Sequence, residues 1–391
     1  MSATEPIEAA QAPGSDEPIT AGPPALEAGG ILTIDLNAIE ANWKALARRA
    51  MPAECAAVIK ADAYGCGIEA VATVLAKAGC RTFFVADLSE ARRVRAVAAE
   101  PVVYVLNGLM PDSGPTFAEL HVRPVIGGMT ELAEWDAFCA TSGWRGGAAL
   151  HVDTGMNRLG ISPEEAAALA PRIRSETYGI TLLMSHLACA EVPDHPLNEK
   201  QIKLFRDIRV LYRGIPSSLA NSSGIFLSQA AHCDVVRPGA ALFGVNPTPG
   251  RPNPMLPVLD LRGRILAIRH VARGETVGYD AGWTAKRATR LAVVGIGYAD
   301  GYLRAASASD SARGAEAVVA GKRCRLAGRI SMDLIEIDVT DLPDNAVRRG
   351  DTVTLIGDGI GVDELGAAAG TIGYEVLTSL GCRYHRTYRV G

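Results

Sequence analysis

From residue 55 onward, short apolar runs rich in Val, Ile, Phe and Ala alternate with longer stretches whose apolar positions recur at helical spacing. The short runs at 55–59, 82–86, 102–106, 122–126, 148–152, 181–185, 217–219 and 233–236 predict eight strands. The longer stretches 68–78, 88–97, 130–140, 163–174 and 197–212 predict helices between them. The interval between the third and fourth strands is the least helical, because Pro111 to Pro115 reads as a turn. Strands that are apolar on both faces and alternate with helices belong to a parallel sheet covered by its crossovers. Eight such units fit a (β/α)8, TIM-like barrel, an α/β fold whose reactive side chains gather at the C-terminal strand ends.

After the Pro-rich segment 247–257 the pattern changes. Runs at 265–271, 291–296, 317–319, 334–339 and 352–356 predict strands joined by Gly-containing turns, with one helix around 365–380. The chain thus divides into a barrel at 31–257 and a C-terminal, mostly β domain at 258–391. The opening run 31–36 can pair with either. Residues 1–30 hold five prolines and five acids (Glu5, Glu8, Asp16, Glu17, Glu27) with no Lys, Arg or aromatic. Such a segment buries too little apolar area to offset its chain entropy, and a disordered acidic tail is expected.

The 391 residues are 48% hydrophobic and 21% charged, ordinary values for a globular chain. The formal charge of −4 offers no concentrated positive field, so a nucleic-acid partner is not expected. No apolar run reaches the roughly 18 residues of a membrane helix, and no secretory or transit signal is recognisable, which predicts a soluble, cytoplasmic protein without a membrane partner. The eight cysteines show no paired or metal-ligand spacing and read as buried thiols; no metal site is expected.

Inspection of the strand ends yields candidate chemistry. Lys60 leaves an apolar strand into the Gly-containing turn Ala61-Asp62-Ala63-Tyr64-Gly65, where one-sided desolvation would free its amine for Schiff-base chemistry. A structural lysine paired with Asp62 is the alternative. Asp153-Thr154-Gly155-Met156-Asn157-Arg158 places an arginine on a tight loop suited to a carboxylate. His186 ends the sixth strand; a lone histidine there would usually be a satisfied structural residue. Ala220-Asn221-Ser222 opens a helix where an anion could sit, although Ser222 could be a plain N-cap. Arg237-Pro238-Gly239-Ala240 ends the eighth strand with a glycine that lets backbone approach a phosphate. An amine, an imidazole, two guanidiniums and an anion cradle are what pyridoxal phosphate requires. Walker A, H-E-x-x-H and G-x-S-x-G motifs and a complete dinucleotide fingerprint are absent.

Those segments, together with Val277-Gly278-Tyr279, Gly297-Tyr298-Ala299-Asp300-Gly301, Ser331-Met332-Asp333 and Thr371-Ile372-Gly373-Tyr374-Glu375, resemble alanine racemase, in order from about residue 31 to 388. The resemblance implies a pyridoxal 5′-phosphate (PLP) enzyme of fold type III that interconverts L- and D-alanine, supplying D-alanine for peptidoglycan or consuming it. By the resemblance Lys60 holds the cofactor and acts as one base. Tyr64, Ser222, Tyr374 and the backbone of Gly239 and Ala240 match the phosphate cradle, and Arg237 matches the residue facing the pyridine nitrogen. Tyr279 matches the second base, contributed by the partner subunit of a homodimer and linked to the positions of His186 and Arg237. Arg158 and the Met332 backbone match the groups that receive the substrate carboxylate, and Tyr298 and Tyr374 those that narrow the entrance.

Family members often have a lysine, commonly carbamylated, where His151 stands, and that negative group orients the arginine matching Arg158. Here a neutral His151 or an anion beside it would take over. Phe243, Ser331, Tyr384-His385, Asp62 and Cys66 depart from the commonest residues at their positions. The alternatives are a broader racemase that accepts serine, a fold-related decarboxylase and a non-catalytic PLP carrier. Arg237-Pro238-Gly239 argues against the decarboxylase, which places an acid at the pyridine nitrogen, and residues 258–391 with Tyr279 argue against the carrier.

Overall fold

The computed structural model describes residues 19–173 and 179–390. Seven short strands form one parallel sheet in the order Ser217–Ser218, Ile180–Met184, Ala148–His151, Arg123–Ile126, Val102–Val105, Thr82–Val85 and Ala57–Val58. Val235–Val236 closes the ring. It pairs in parallel with Glu54–Cys55 on one side, and on the other the Asp234 and Arg237 N–H groups donate to the Ser217 and Ala220 carbonyls. The eight-stranded barrel read from the sequence is therefore present, with its first strand interrupted at Ala56.

Side chains alternate across the barrel wall as the two-residue period of a strand requires. Ala56, Val58, Phe84, Tyr104, Val125, Ala149, Leu182 and Met184 pack with one another inside. Their neighbours Ala57, Ile59, Phe83, Val85, Val105, Ile126 and Leu183 join the larger core under the helices. The crossovers include helices Ile68–Lys77, Leu88–Val97, Met129–Ser142, Pro163–Leu169 and Pro196–Arg209, with only the short Gly114–Glu119 at the turn-like interval. The expected helix 163–174 ends early, and its last residue lies outside the described residues.

The second lobe is built on a nine-stranded sheet. Its long strand Leu259–Val271 shifts register between Leu261 and Arg262 and again between Ile265 and Ala267, which lets it pair with Gly30–Asp35, Thr352–Ile356 and Thr289–Val294 in turn. The opening strand therefore joins this sheet, between Leu259–Val271 and the closing strand His385–Arg389. Helix Leu36–Ala50 follows it, with the Asp35 carboxylate accepting the Ala38 N–H at 2.9 Å. Sequence pattern did not single out that helix or the closing strand.

Two further expectations need correction. The helix around 365–380 is two helices, Val362–Ala368 and Gly373–Ser379, separated where Gly370 takes a φ of +70° that ends the first. The tail expected to be disordered through residue 30 is ordered in part: 1–18 lie outside the described residues, Ile19–Ala21 is a strand antiparallel to His385–Arg389, and Gly30 begins the next strand.

The lobes meet at the turn after the first barrel strand. Arg386 donates to the Gly65 carbonyl at 2.6 Å, and a Cβ on Gly65 would lie 2.4 Å from the Leu377 carbonyl oxygen. Glycine is required there by close approach as well as by its φ of +76°.

Candidate active site

That turn holds four consecutive non-glycine residues at positive φ. Ala61, Asp62, Ala63 and Tyr64 all have left-handed φ, at 54°, 54°, 53° and 53°, a conformation that costs an L-residue roughly 1–2 kcal/mol. It swings the chain sharply after Lys60 and buries the Tyr64 ring, stacked on Phe243 at 4.9 Å between centroids. Asp62 anchors it by accepting the Ile68 N–H at 3.0 Å and Arg93 at 2.7 Å. An asparagine there could not form that ion pair.

Lys60 and Tyr64 line a cavity of about 680 Å³ at the C-terminal ends of the barrel strands. The same cavity collects His151, Arg158, His186, Ser222, Arg237, Gly239, Ala240 and, from the second lobe, Tyr374. Neither Lys60 nor Arg158 makes a hydrogen bond or ion pair among the described residues, so both cations face the cavity unspent. Desolvation lowers the Lys60 pKa and repulsion from Arg158 adds to it, with Glu90 opposing. An amine rather than an ammonium is thereby made more available.

Arg237 is 3% exposed and contacts no carboxylate. It donates to Ser218 Oγ at 2.5 Å, to the Ser185 carbonyl at 2.6 Å and to His186 Nδ1 at 3.4 Å. Burial lowers its pKa to about 10, which leaves it charged at neutral pH. A guanidinium only donates, so His186 Nδ1 must accept and the imidazole proton sits on Nε2. Burial, then Arg237, hold His186 near 3, so the ring is neutral. His151 is likewise held near 4 by burial, Arg237 and Arg158, with Asp153 opposing. No hydrogen bond joins the neutral His151 to Arg158 among the described residues.

Ser222 Oγ accepts the N–H groups of Gly239 at 3.0 Å and Ala241 at 3.2 Å, which leaves its own proton for an acceptor in the cavity. A Cβ on Gly239 would lie 2.4 Å from Tyr64 Oη, so only glycine permits the two to share this wall. Burial raises the Tyr64 pKa to about 12, keeping it a hydrogen-bond donor. Tyr374 is also held protonated, by burial and by Glu191, whose carboxylate accepts its O–H.

These groups fit pyridoxal phosphate. The neutral O–H donors of Tyr64 and Ser222 suit a phosphate, a donor-only cation suits a lone-pair nitrogen, and an unpaired amine suits the aldehyde, while the Tyr374 proton is held by Glu191. The one lining carboxylate, Glu375, is exposed and accepts from the Thr371 hydroxyl. Among the described residues no group of His, Cys, Asp and Glu could hold a metal, and no helix is long and apolar enough to cross a membrane.

Three residues singled out from sequence do not line this cavity. Tyr279, Met332 and Tyr298 lie on the second lobe, 64%, 53% and 40% exposed. Their loops touch: the Tyr298 and Ala299 N–H groups donate to the Ser331 and Met332 carbonyls, and Gly278 packs against the Arg329 backbone. Two residues beside the site escaped notice in the sequence, Glu90 and Glu191. Glu90 sits three residues after a helix-capping Asp87 and reads only as a first-turn acid.

Comparison with known proteins agrees with this geometry. Residues 34–247 match the family described as alanine racemase, N-terminal domain, and residues 258–388 match alanine racemase, C-terminal domain. The chain is 56% identical over 363 residues to an alanine racemase of Methylobacterium nodulans, covering 93% of this chain and 97% of that one. It is similar to the crystal structure of alanine racemase from Bartonella henselae with covalently bound pyridoxal phosphate, with a TM-score of 0.87, 37% identity and coverage of 93% and 100%. It is also similar to the biosynthetic alanine racemase of Pseudomonas aeruginosa, with a TM-score of 0.84, 38% identity and the same coverage. A barrel cavity built for PLP, joined to this second lobe along nearly the whole chain, places the protein in the alanine racemase family.

Proposed function

We propose that the protein interconverts L- and D-alanine with PLP as its cofactor, using two bases on opposite faces of the substrate: Lys60 Nζ, and Tyr279 Oη from a second copy of the chain. Bound PLP supplies an electron sink for the pair left when the Cα–H bond breaks. Lys60 holds the cofactor and moves the proton on one face. Tyr64, Ser222 and the Ala240 N–H donate to the phosphate, and Tyr374 and the Gly239 N–H join them once they turn from Glu191 and Ser222. Arg237, permanently protonated, keeps the ring nitrogen in its lone-pair form and so limits how far charge is drawn from Cα. Less charge at the wrong carbon means less protonation there, which protects against transamination.

Arg158 and the Met332 backbone receive the substrate carboxylate, and Tyr298 and Tyr374 narrow the entrance to suit a methyl side chain. His186, neutral with its proton on Nε2, offers a donor to a phenol oxygen brought beside it, and Arg237 fixes that tautomer. The single observation that carries the reading is a mismatch: one cavity at the barrel mouth collects Lys60 and the groups assigned to the cofactor, while Tyr279 stands exposed outside it. A homodimer in the cytoplasm that lends Tyr279 across its interface resolves the mismatch.

The test uses two inactive proteins. Lys60→Ala and Tyr279→Phe homodimers should each racemise poorly, and dimers reassorted from a mixture should regain activity, because one of their two sites has both native bases. Mixed dimers that stay inactive would reject the shared site. Borohydride reduction followed by peptide mapping should find the cofactor on Lys60; a label elsewhere breaks that assignment.

A further inference from the structure

Glu90 is 8% exposed, and its carboxylate forms no ion pair among the described residues. Arg93, one turn along the same helix, is taken by Asp62 and Glu69. A buried carboxylate without a cation is costly unless backbone donors satisfy it. Here Oε2 accepts the Ala86 N–H at 2.8 Å, at the end of the second barrel strand, and Oε1 accepts the Asp62 N–H at 3.1 Å.

In and just after the left-handed turn, the Ala63 N–H bonds to the Ile59 carbonyl, Gly65 to Ala61 and Gly67 to Asp62. The Asp62 N–H instead bonds to Glu90. The carboxylate thus ties the middle of an unfavourable turn to an adjacent strand end. Lys60 stands at one end of that turn and Tyr64 at the other, so whatever fixes the turn fixes the relation between amine and phenol.

We propose that Glu90 is a positioning residue that locks the left-handed turn at residues 61–64 and so sets the spacing between the Lys60 amine and the Tyr64 hydroxyl to the length of the cofactor. This rests on the reading that Lys60 takes the aldehyde end of PLP and Tyr64 its phosphate. A ligand lacking the phosphate has nothing to gain from that spacing, which gives the proposal a signature that general loosening lacks.

The experiment titrates cofactor-free protein with PLP and, separately, with pyridoxal. In Glu90→Gln the amide NH2 faces one of the two N–H groups, so one bond is lost. PLP affinity should fall about tenfold more than pyridoxal affinity, the scale of one lost charge-assisted bond; the loss of Glu90's charge near the Lys60 amine acts on both ligands alike and cancels in that ratio. Adding Ala61→Gly, which removes the Cβ penalty of positive φ, should restore most of the PLP affinity. Equal losses for both ligands, no loss, or a double variant no better than E90Q would each overturn the proposal. Should E90Q not accumulate as folded protein, Glu90→Asp keeps the charge with shorter reach and should show the same selective loss at about threefold.

The underlying reading is checked on its own in the otherwise unaltered protein. Borohydride should fix the cofactor on Lys60, and Tyr64→Phe should weaken PLP but not pyridoxal. If those hold and E90Q loses both ligands equally, the role of Glu90 fails while the site reading stands.

Discussion

The barrel half of the site and the second-lobe half differ in how much of their own environment they carry. Around Arg237 every hydrogen-bonding partner comes from the same barrel: Ser185, Ser218 and His186 are strand-end residues whose backbones are fixed by the closed sheet. Tyr279, by contrast, is mostly exposed, in a short loop where Gly278 and Asp280 both take positive φ. A buried polar network can fix charge states because its dielectric is low. An exposed phenol has no such control until something covers it. The chemistry assigned to the barrel can therefore be prepared within one chain, whereas that assigned to Tyr279 cannot.

The sharpest way to break this contrast is to remove the base proposed for each half. Lys60→Ala should lower kcat at least about 10³-fold and also abolish covalent cofactor retention. Tyr279→Phe should cost a comparable rate with retention intact. Loss of cofactor from Tyr279→Phe would mean that the second lobe does more than supply a base. Dilution sharpens the same point: activity per chain should fall as dimers separate, while the cofactor stays with the barrel.

Next in size is Gly239→Ala. The added methyl would lie 2.4 Å from Tyr64 Oη, so either the ring or the loop must move, and overpacking of this kind costs about 1–3 kcal/mol. PLP affinity should drop roughly 10–100-fold, read by titration of the cofactor-free protein. Asp280→Gly, its counterpart in the second lobe, removes a Cβ at φ 63° and should leave PLP affinity unchanged.

What the sequence made legible follows the same division. The barrel strands announce themselves because burial on both faces leaves continuous apolar runs, and their ends then expose Lys60, His186 and Arg237 without ambiguity of position. The second lobe was harder to read. His385–Arg389 is a polar-looking segment whose alternate residues Arg386 and Tyr388 are buried, and it becomes a strand only because Gly30–Asp35, more than 300 residues away, lies beside it. Ile19–Ala21 likewise gains its partner from the far end of the chain. The helix break near Gly370 depends on close packing of Gly366 against Ile372, a contact no local pattern reveals. Glu90 shows the same limit within the site, since its first-turn position explains its presence on the helix but not the backbone N–H it reaches across to satisfy.

Arg158 gives a smaller effect. It makes no ion pair among the described residues, and His151 beside it is neutral. Arg158→Gln should raise KM for alanine about 10-fold, the scale of one charge-assisted hydrogen bond at about 1.5 kcal/mol, with a lesser change in kcat. His151→Lys would restore the residue that the family commonly uses. A fall in KM of that variant with added bicarbonate, absent in the unaltered protein, would show that a carbamate can take over the orientation of Arg158.

A further effect concerns pH and separates the halves by stability rather than by rate. His186 and His151 are held near 3 and near 4 in the folded protein, below the ordinary 6.5. Below that ordinary value the unfolded chain binds protons that the folded chain refuses, so the linkage slope favours unfolding as pH falls. The cofactor-free protein should therefore keep a level melting temperature above about pH 7 and lose it progressively toward pH 4. His186→Gln and His151→Gln should each flatten that loss, because a neutral amide has no proton to gain. Tyr279→Phe should leave the acid limb untouched, since it removes neither imidazole. An acid limb unmoved by either histidine variant would show that the barrel half does not hold its imidazoles neutral, and with that the tautomer assigned to His186 would lose its basis.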